Sequence, residues 1–305
     1  QKELTLSITP KKYQELFSDL SQQQLKIIED RDTQYIVVAA GPGSGKTRIL
    51  TRKLASLSLL EDVKNDELLM LAFSRAAVND FKTKMYEILK EQAKYIKIKT
   101  FHSYCFDLLG KVGNINESDV IEVATEKIKL GEVDEHMVNI KTLVIDEAQD
   151  MNNKDFGLIE ALIEQNEDMR IIAVGDDDQC IYEVKKADPQ LFSSFLKKDN
   201  SKKYELVDNY RSYANLVDFA NQFIKNEKQR LKNQIINPVS KLFGKIQMTK
   251  VKSENIEGAA INAVLSEKNV GSTCIAAQTN EEVSMIAAML MENGIDASKI
   301  QSLMN

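Results

Sequence analysis

The sequence has few of the residues that build metal centres and disulfide frameworks. It contains no tryptophan, two histidines and three cysteines, the last at Cys105, Cys180 and Cys274. An odd number of scattered cysteines, none in a Cys-x-x-Cys pair, argues against both a disulfide framework and a zinc site. We therefore predict free thiols, a reducing compartment and a cytoplasmic protein.

Long apolar runs and an excess of basic charge are also missing. No run approaches the roughly 20 apolar residues of a membrane-spanning helix, and no secretory signal is visible after Gln1. The sequence therefore predicts no membrane segment. The formal net charge is −6, so any nucleic-acid contact is expected to be a local patch rather than a broad basic surface.

What is present is the pattern of an α/β protein. Hydrophobic residues make up 43% of the chain and charged residues 28%, as in ordinary globular proteins, and the length suggests about two domains. Apolar runs alternate with stretches of helical periodicity, which predicts a parallel sheet with helices on both faces. The strands of the first domain are predicted at 35–39, 68–73, 95–101, 142–147 and 171–174.

The clearest motif is the glycine-rich segment Ala40–Thr47, which lies between the first predicted strand and a helical stripe beginning at Ile49. Strand, glycine-rich turn and helix is the context of a phosphate-binding loop, although the strict pattern has glycine where Ala40 stands. Backbone N–H groups and the helix N-terminus would attract phosphate. Lys46 would reach the β- and γ-phosphates, and the Thr47 hydroxyl would hold Mg²⁺. The predicted phosphate-binding residues are Gly41, Gly43, Ser44, Gly45, Lys46 and Thr47.

A pair of carboxylates, Asp146 and Glu147, ends the strand predicted at 142–147. Asp146 is placed to bind Mg²⁺, and Glu147 is placed to accept a proton from an attacking water. A solvated strand end is the alternative interpretation of such a pair. Downstream of a phosphate-binding loop, the pair favours nucleotide hydrolysis over nucleotide storage.

Six segments occur in a characteristic order: Ala40–Thr47, Phe73–Ala77, Thr100–Ser103, Asp146–Asp150, Gly175–Tyr182 and Asn209–Ser212. In order and spacing they resemble motifs I, Ia, Ib, II, III and IV of the UvrD/Rep/PcrA-type superfamily 1 DNA helicases, from about residue 20 to the end. The resemblance implies a P-loop NTPase fold of the α/β class. Residues 1–200 would form a RecA-like parallel-sheet domain, 1A, with a small 1B-like insertion near 111–140. Residues 201–305 would form part of a second RecA-like domain, 2A. Around its start, the lysine-rich segment 197–203 looks like a linker and a strand is predicted at 204–207; further on, a strand is predicted at 274–277 and a helix from about residue 281 to 292.

The resemblance also implies roles in nucleotide chemistry. Gln24 is similar to the glutamine that reads the adenine edge, Tyr210 to the tyrosine that stacks on adenine, and Arg48 flanks it. Gln179 resembles the γ-phosphate sensor. Arg211 resembles the arginine that reaches the γ-phosphate from the second domain, where a cation stabilises transition-state charge only when the domains close. The implied catalytic set is Lys46, Asp146, Glu147, Gln179 and Arg211, acting on ATP with Mg²⁺.

Five residues fall where the family contacts single-stranded DNA: Phe73, Phe101, His102, Tyr182 and Lys185. Aromatic stacking on bases does not depend on sequence. Buried core aromatics remain an alternative for Phe73 and Phe101, and a structural histidine for His102. After Tyr182 the family has an aromatic residue, an arginine and a glycine, so one stacking platform is missing where Val184 stands.

No segment resembling motifs V and VI follows Gly294. A fragment of a longer protein, omitted residues or a degenerate relative would each explain this. The sequence predicts an ATP-dependent translocase or helicase on single-stranded DNA or DNA junctions, moving 3′ to 5′ as the family does. The alternative is an ATP-gated DNA-binding or scaffold subunit of a repair or defence complex with weak or no motor activity. A third interpretation, a small-molecule kinase that uses the same phosphate loop, is weaker because it gives no role to the sequence Asp-Asp-Asp-Gln-Cys-Ile-Tyr at 176–182.

Overall fold

The computed structural model describes residues 8–61, 63–110, 116–180, 187–226, 230–251, 256–266 and 273–295. The chain divides into two compact units, residues 1–244 and 245–305. Of the helices in these ranges, none has the length and apolarity needed to cross a membrane. The predicted residues Tyr182 and Lys185 lie outside the described residues.

A parallel sheet of six strands forms the centre of the first unit, in the order β3-β2-β4-β5-β1-β6. This confirms the predicted parallel sheet, and each of the five strands predicted for the first domain is present within a few residues of its expected position. A separate parallel pair, β7 with β8, follows. The strands are β1 (Tyr35–Ala40), β2 (Leu68–Ala72), β3 (Lys97–Thr100), β4 (Thr142–Ile145), β5 (Arg170–Gly175), β6 (Ser201–Leu206), β7 (Asp208–Asn209) and β8 (Asn237–Pro238).

Helices cover both faces of the sheet, because its central strands are apolar on both sides. Along β1, Tyr35 and Val37 belong to one core, whereas Ile36 and Val38 belong to the other. The helices of the first unit are α1 (Pro10–Phe17), α2 (Gln22–Glu29), α3 (Lys46–Leu60), α4 (Arg75–Leu89), α5 (Phe101–Leu109), α6 (Val120–Lys129), α7 (Glu135–Val138), α8 (Asn153–Gln165), α9 (Pro189–Ser194) and α10 (Ala214–Ile224).

The segment predicted as a 1B-like insertion near 111–140 contains the helices α6 and α7. Val120, Ala124 and Ile128 of α6 are fully buried in the same core as the sheet face that carries Tyr35 and Val37. The apolar stripe of α6 therefore packs against the first domain, and its described residues form part of that domain's helical layer.

The predicted start of the second domain at residue 201 lies inside the first unit. β6 pairs in parallel with β1 from Tyr35 opposite Ser201 to Ala40 opposite Leu206, so the segment around Lys203 is a strand of the first sheet rather than a linker. The strand predicted at 204–207 is therefore present but begins earlier, at Ser201. Its first residues were predicted as linker because edge strands tolerate polar side chains such as these lysines.

The described part of the second unit consists of two packed helices, α11 (Ile256–Ser266) and α12 (Asn280–Glu292). Ile261, Ile286 and Leu290 form its small core. The helix predicted from residue 281 is present, with Thr279 as its cap. The strand predicted at 274–277 is wrong, since residues 273–277 show no strand pairing in the structure.

Thiol reactivity offers a direct test of this packing. Cys105 on α5 is buried, and burial raises the pKa of its thiol to about 12, whereas Cys274 is exposed. Because the thiolate is the reacting form, only about one Cys105 in 10⁴ would be ionised at pH 8. In native protein at pH 8 we expect Cys105 to react with iodoacetamide at least ~100-fold more slowly than Cys274, as measured by peptide mass spectrometry.

Unfolding in guanidinium should bring the alkylation rates of Cys105 and Cys274 together. Comparable rates in the native protein would contradict the packing of α5 against the sheet.

Candidate nucleotide site

Most of the predicted site residues that the structure describes gather at one edge of the first sheet. Parallel strands end at the same edge, and in α/β sheets ligands bind outside these carboxyl ends. The phosphate loop follows β1, Phe73 follows β2, Phe101 follows β3, and the pair Asp146-Glu147 follows β4. The predicted alternation of strands and helices therefore assembles residues that lie up to about a hundred positions apart, such as Lys46 and Glu147.

The glycines of the phosphate loop adopt conformations that other residues rarely take. Gly43 has φ +67° and Gly45 has φ +87°, and Lys46 begins α3 directly afterwards. Ser44 is buried, and its Oγ has no hydrogen-bond partner among the described residues. A buried polar atom without a partner is costly, and here it lies beside a helix N-terminus, where anions bind.

An ion pair joins the loop to the end of β4. Lys46 Nζ lies 3.0 Å from Glu147 Oε2, and Gln149 Nε2 donates a hydrogen bond of 3.1 Å to the same oxygen. Glu147 has φ 51° and ψ 46°, the left-handed region that is unusual for a residue with a side chain. Strain of this kind occurs at functional sites, and it supports the predicted importance of Glu147.

Asp146 is buried at the end of β4, only 6% exposed. Burial, reinforced by the neighbouring charge of Glu147, raises the pKa of Asp146 to about 7. Its Oδ1 has no hydrogen-bond partner among the described residues. A buried carboxylate oxygen left open fits a hard cation such as Mg²⁺, which prefers oxygen ligands. The buried carboxylate of Asp146 therefore fits the predicted metal.

Gln24 and Arg48, predicted to contact adenine, both make contacts within the protein. Gln24 is buried, and its Nε2 donates to the carbonyl of Ser44 at 3.1 Å. Its Oε1 accepts the N–H of Ser21 in the capping box of α2. In this conformation Gln24 supports the phosphate loop. Arg48 pairs with Asp19, whose backbone carbonyl accepts from Nη2 at 3.3 Å.

The segment Asn209–Arg211 docks on the phosphate loop inside the first unit. Asn209 Nδ2 donates to the carbonyl of Pro42 at 2.7 Å, and the N–H of Tyr210 donates to the carbonyl of Gly43 at 2.9 Å. Tyr210 is 51% exposed, as a residue that stacks on a base requires. The resemblance implies that Arg211 belongs to a second domain; in the structure, residue 211 lies in the compact unit that contains the loop.

The aromatic residues predicted to bind DNA divide into two groups. Phe73 is half-buried and its ring lies 4.9 Å from that of Phe101. Phe101 is only 2% exposed, so the prediction that it contacts DNA is corrected: it packs in the core, because it occupies the first turn of α5 facing the sheet. His102, the next residue, is exposed.

The acidic turn after β5, residues 176–178, is bound by two basic residues that belong to none of the sequence motifs, Arg230 and Lys232. Gln179 is exposed, and its Nε2 donates to Asp176 Oδ2 at 2.5 Å. The carboxylates of residues 176, 177 and 178 lie within 4.8 Å of one another, and Lys232 and Arg230 bind them. Because Lys232 already occupies this cluster, it does not fit a metal. Three adjacent acids indicate a need for counter-charge, but the sequence does not indicate which basic residues supply it.

A glycine-rich loop at a helix N-terminus, a lysine, an unpartnered buried carboxylate and a parallel sheet together define a P-loop nucleotide site on a RecA-like fold. A family model for an AAA domain matches residues 23–185, more than half of the chain. A second, for the UvrD-like helicase C-terminal domain, matches residues 204–303. The chain belongs to the UvrD-like superfamily 1 helicases.

Similar proteins carry related names. The chain is 29% identical over 212 residues to a putative ATP-dependent DNA helicase of Acanthamoeba polyphaga mimivirus, covering 66% of this chain and 30% of that protein. It is 32% identical over 198 residues to the ATP-dependent DNA helicase Rep of Buchnera aphidicola subsp. Schizaphis graminum, covering 62% of this chain and 29% of that protein. The chain thus spans under a third of the length of these two relatives.

Among solved structures, unliganded Pif1 from Bacteroides sp. is 19% identical, covers 68% of this chain and 46% of that chain, and has a TM-score of 0.37. A likeness of that size carries no conclusion about either fold or function.

Substituting Gly43 tests the docked arrangement of the loop. An alanine Cβ at this position would lie 2.8 Å from Arg211 Cβ and from Asn209 Nδ2, at φ +67°. We expect Gly43→Ala to weaken binding of a fluorescent ADP analogue about tenfold or more, because the loop must shift to relieve a strain of ~1–3 kcal/mol.

The matched control is Gly157→Ala in the middle of α8, where nothing lies within 4 Å of the added Cβ. This control should retain nucleotide affinity and gain ~0.5–1 kcal/mol of stability from helix propensity. Equal affinities for the two variants would show that the Asn209–Arg211 segment does not rest on the loop in solution.

Proposed function

We propose that this chain binds ATP with Mg²⁺ and hydrolyses it to move along single-stranded DNA, unwinding duplexes as part of a helicase. The observation that carries the proposal is the 3.0 Å contact between Lys46 and Glu147, beside the open oxygens of Ser44 and Asp146. Lys46 would supply a cation for the phosphates, Glu147 a base for the water, and the neighbouring Asp146 a ligand for the metal.

The reaction joins water to the γ-phosphorus, breaks the bond to the β–γ bridging oxygen, and releases ADP, phosphate and a proton. Glu147 would accept that proton. Lys46 would leave Glu147 for the phosphate oxygens, which frees the carboxylate to act as a base. Bound Mg²⁺ would neutralise charge on the phosphate oxygens. Gln179 and Arg211 are the candidates for contact with the γ-phosphate, and the exposed Tyr210 is the candidate for stacking on adenine.

The proposed DNA surface begins at Phe73. Phe73 and His102 follow neighbouring strands, at the same edge of the sheet as the nucleotide site. The buried ring of Phe101 packs against the ring of Phe73. Stacking on a base from this position needs no particular sequence. Movement in the 3′ to 5′ direction is the finer proposal, supported by the resemblance of the six motifs to UvrD-type helicases.

Removing the carboxylate charge of Glu147 should separate ATP binding from hydrolysis. We expect Glu147→Gln to lower kcat for ATP about 10²- to 10⁴-fold, since a general base contributes that much, while the Kd for ATP stays within about threefold. Steady-state phosphate release and equilibrium binding measure the two quantities.

The matched control is Glu122→Gln, which removes another lysine-paired carboxylate, 3.1 Å from Lys154, on α6. It should leave kcat unchanged. If Glu147→Gln hydrolyses ATP as fast as the control, Glu147 is not the general base and the proposed mechanism is wrong.

Truncating Phe73 should weaken binding to single-stranded DNA without altering its dependence on salt. The loss of one stacked base is worth ~1–3 kcal/mol, or about 5- to 150-fold in Kd. Because stacking releases no counterions, the slope of log Kd against log salt should stay the same. Fluorescence anisotropy with a mixed-sequence oligonucleotide at several salt concentrations measures both.

Tyr95→Ala is the control for the Phe73 substitution. Tyr95 is 67% exposed and precedes β3, so it lies towards the opposite edge of the sheet. Equal losses of DNA affinity in Phe73→Ala and Tyr95→Ala would refute the proposed surface.

A further inference from the structure

Lys232 is a buried cation within the acidic turn that follows β5. Its side chain is fully buried, and Nζ lies 2.6 Å from Asp176 Oδ1 and 3.2 Å from Asp178 Oδ2. Nζ also pairs with Asp177 Oδ1. A buried lysine with a full set of charged acceptors stabilises a particular local arrangement, because removing one partner leaves uncompensated charge.

The charges in this cluster depend on one another. Although burial opposes its charge, the fields of Asp176 and Asp177 hold the pKa of Lys232 above its ordinary value. Burial raises the pKa of Asp176 even against the field of Lys232. Without the lysine, the adjacent carboxylates would repel one another and take up protons.

Arg230 and the backbone beside it complete the attachment. Arg230 Nε and Nη2 donate to the two oxygens of Asp178 at 2.7 Å and 2.8 Å, which is the strong bidentate geometry. The backbone N–H of Leu231 donates to Asp177 Oδ2. All three acidic side chains of the turn are therefore bound by residues 230–232.

From the turn, hydrogen bonds continue to the centre of the nucleotide site. Asp176 Oδ2 accepts from Gln179, the candidate γ-phosphate contact. The N–H of Asp176 donates to Gln149 Oε1 at 2.9 Å, and Gln149 Nε2 in turn donates to Glu147. Lys232, Asp176, Gln149, Glu147 and Lys46 thus form one connected chain of contacts.

The segment that begins with Arg230 and Lys232 also reaches the phosphate loop, directly through residue 236 and, by way of Asn209, through residue 239. Ile236 lies so close to Gly41 that an alanine Cβ there would be 2.2 Å from Ile236 Cδ1. The N–H of Val239 donates to the carbonyl of Asn209 at 3.0 Å, and Asn209 binds Pro42 of the loop. Residues 230–239, here called the strap, thus connect the acidic turn to the phosphate loop.

We propose that Lys232 and Arg230 are positioning residues for nucleotide hydrolysis: they fix the acidic turn so that Gln179, and through Gln149 the carboxylate of Glu147, keep their places beside the phosphate loop. The inference rests on the proposed function, because it concerns the hydrolytic step.

Three variants test the proposal, with hydrolysis, nucleotide affinity and thermal stability measured for each. Lys232→Met removes the charge at similar length. Lys232→Met/Asp177→Asn also removes one opposing charge, which restores the charge balance of the cluster and should recover most of the lost Tm. Arg230→Gln removes the bidentate pair at a less buried position.

A matched control for loss of a buried lysine is Lys53→Met. Lys53 is also fully buried and pairs with Glu61 at 2.8 Å. Its Nζ donates to the carbonyl of Asp30 at 2.8 Å; Asp30 precedes the amino end of β1, whereas the phosphate loop follows the carboxyl end of that strand. This variant should lose Tm and keep kcat.

If Lys232 acts by positioning the turn, Lys232→Met/Asp177→Asn should recover its Tm while its kcat stays about tenfold or more below that of the wild type. The Kd of this double variant for ADP should stay within about threefold of the wild-type value. Arg230→Gln should lower kcat about three- to tenfold with little change in Tm. Recovery of kcat together with Tm in the double variant, or an Arg230→Gln protein within twofold of wild type, would overturn the proposal.

Alkylation of Cys180 reports on the acidic turn without requiring ATP hydrolysis, so it tests whether Arg230 fixes that turn separately from the proposed function. Cys180 follows Gln179, and its Sγ donates to the carbonyl of Gln149 at 3.6 Å. A loosened turn should let Cys180 react with iodoacetamide about threefold or more faster in Arg230→Gln than in wild type. If the wild type shows no Lys46-dependent hydrolysis, the proposed function fails, and the positioning role in hydrolysis fails with it. Unchanged Cys180 labelling in Arg230→Gln, in a wild type that does hydrolyse ATP, would instead refute only the claim that Arg230 fixes the acidic turn.

Discussion

The ion pair between Lys46 and Glu147 joins the two halves of the nucleotide site, and its formation depends on the parallel sheet. Lys46 begins the helix after β1 and Glu147 follows β4, with β5 between those strands. Because all the strands run in one direction, both residues emerge at the same edge, where their charged atoms come within 3.0 Å. The left-handed backbone of Glu147 is sustained by this surrounding structure.

Around this pair, the site is held by buried polar groups that satisfy one another. Gln24 supports the phosphate loop through Ser44, Gln149 connects Glu147 to Asp176, and Lys232 neutralises the acidic turn. Networks of this kind stabilise one geometry strongly when complete and are costly when one member is lost. The open oxygens at Ser44 and Asp146 are the exceptions, and both lie where phosphate and metal are proposed to bind.

Local patterns predicted the strands around the site well, because their buried positions are apolar and their ends carry glycine or acidic residues. The predictions were wrong where burial or pairing depends on distant partners. Phe101 has the composition of a stacking residue, yet the sheet face buries it. The lysine-rich first half of β6 resembles a linker, yet it pairs with β1 and completes the sheet there. The apolar segment at 274–277 lacks a pairing strand in the described part of its unit.

The sequence by itself determined the class of fold, the phosphate loop and the positions of Lys46, Asp146 and Glu147, since each of these follows from a short contiguous pattern that imposes its own backbone geometry. Only the tertiary structure decided that Lys232 and Arg230 neutralise the turn at Asp176, and that Asn209 rests on Pro42. These contacts join residues 52 to 167 positions apart. A buried charge selects its partner by proximity in space, which no local pattern records.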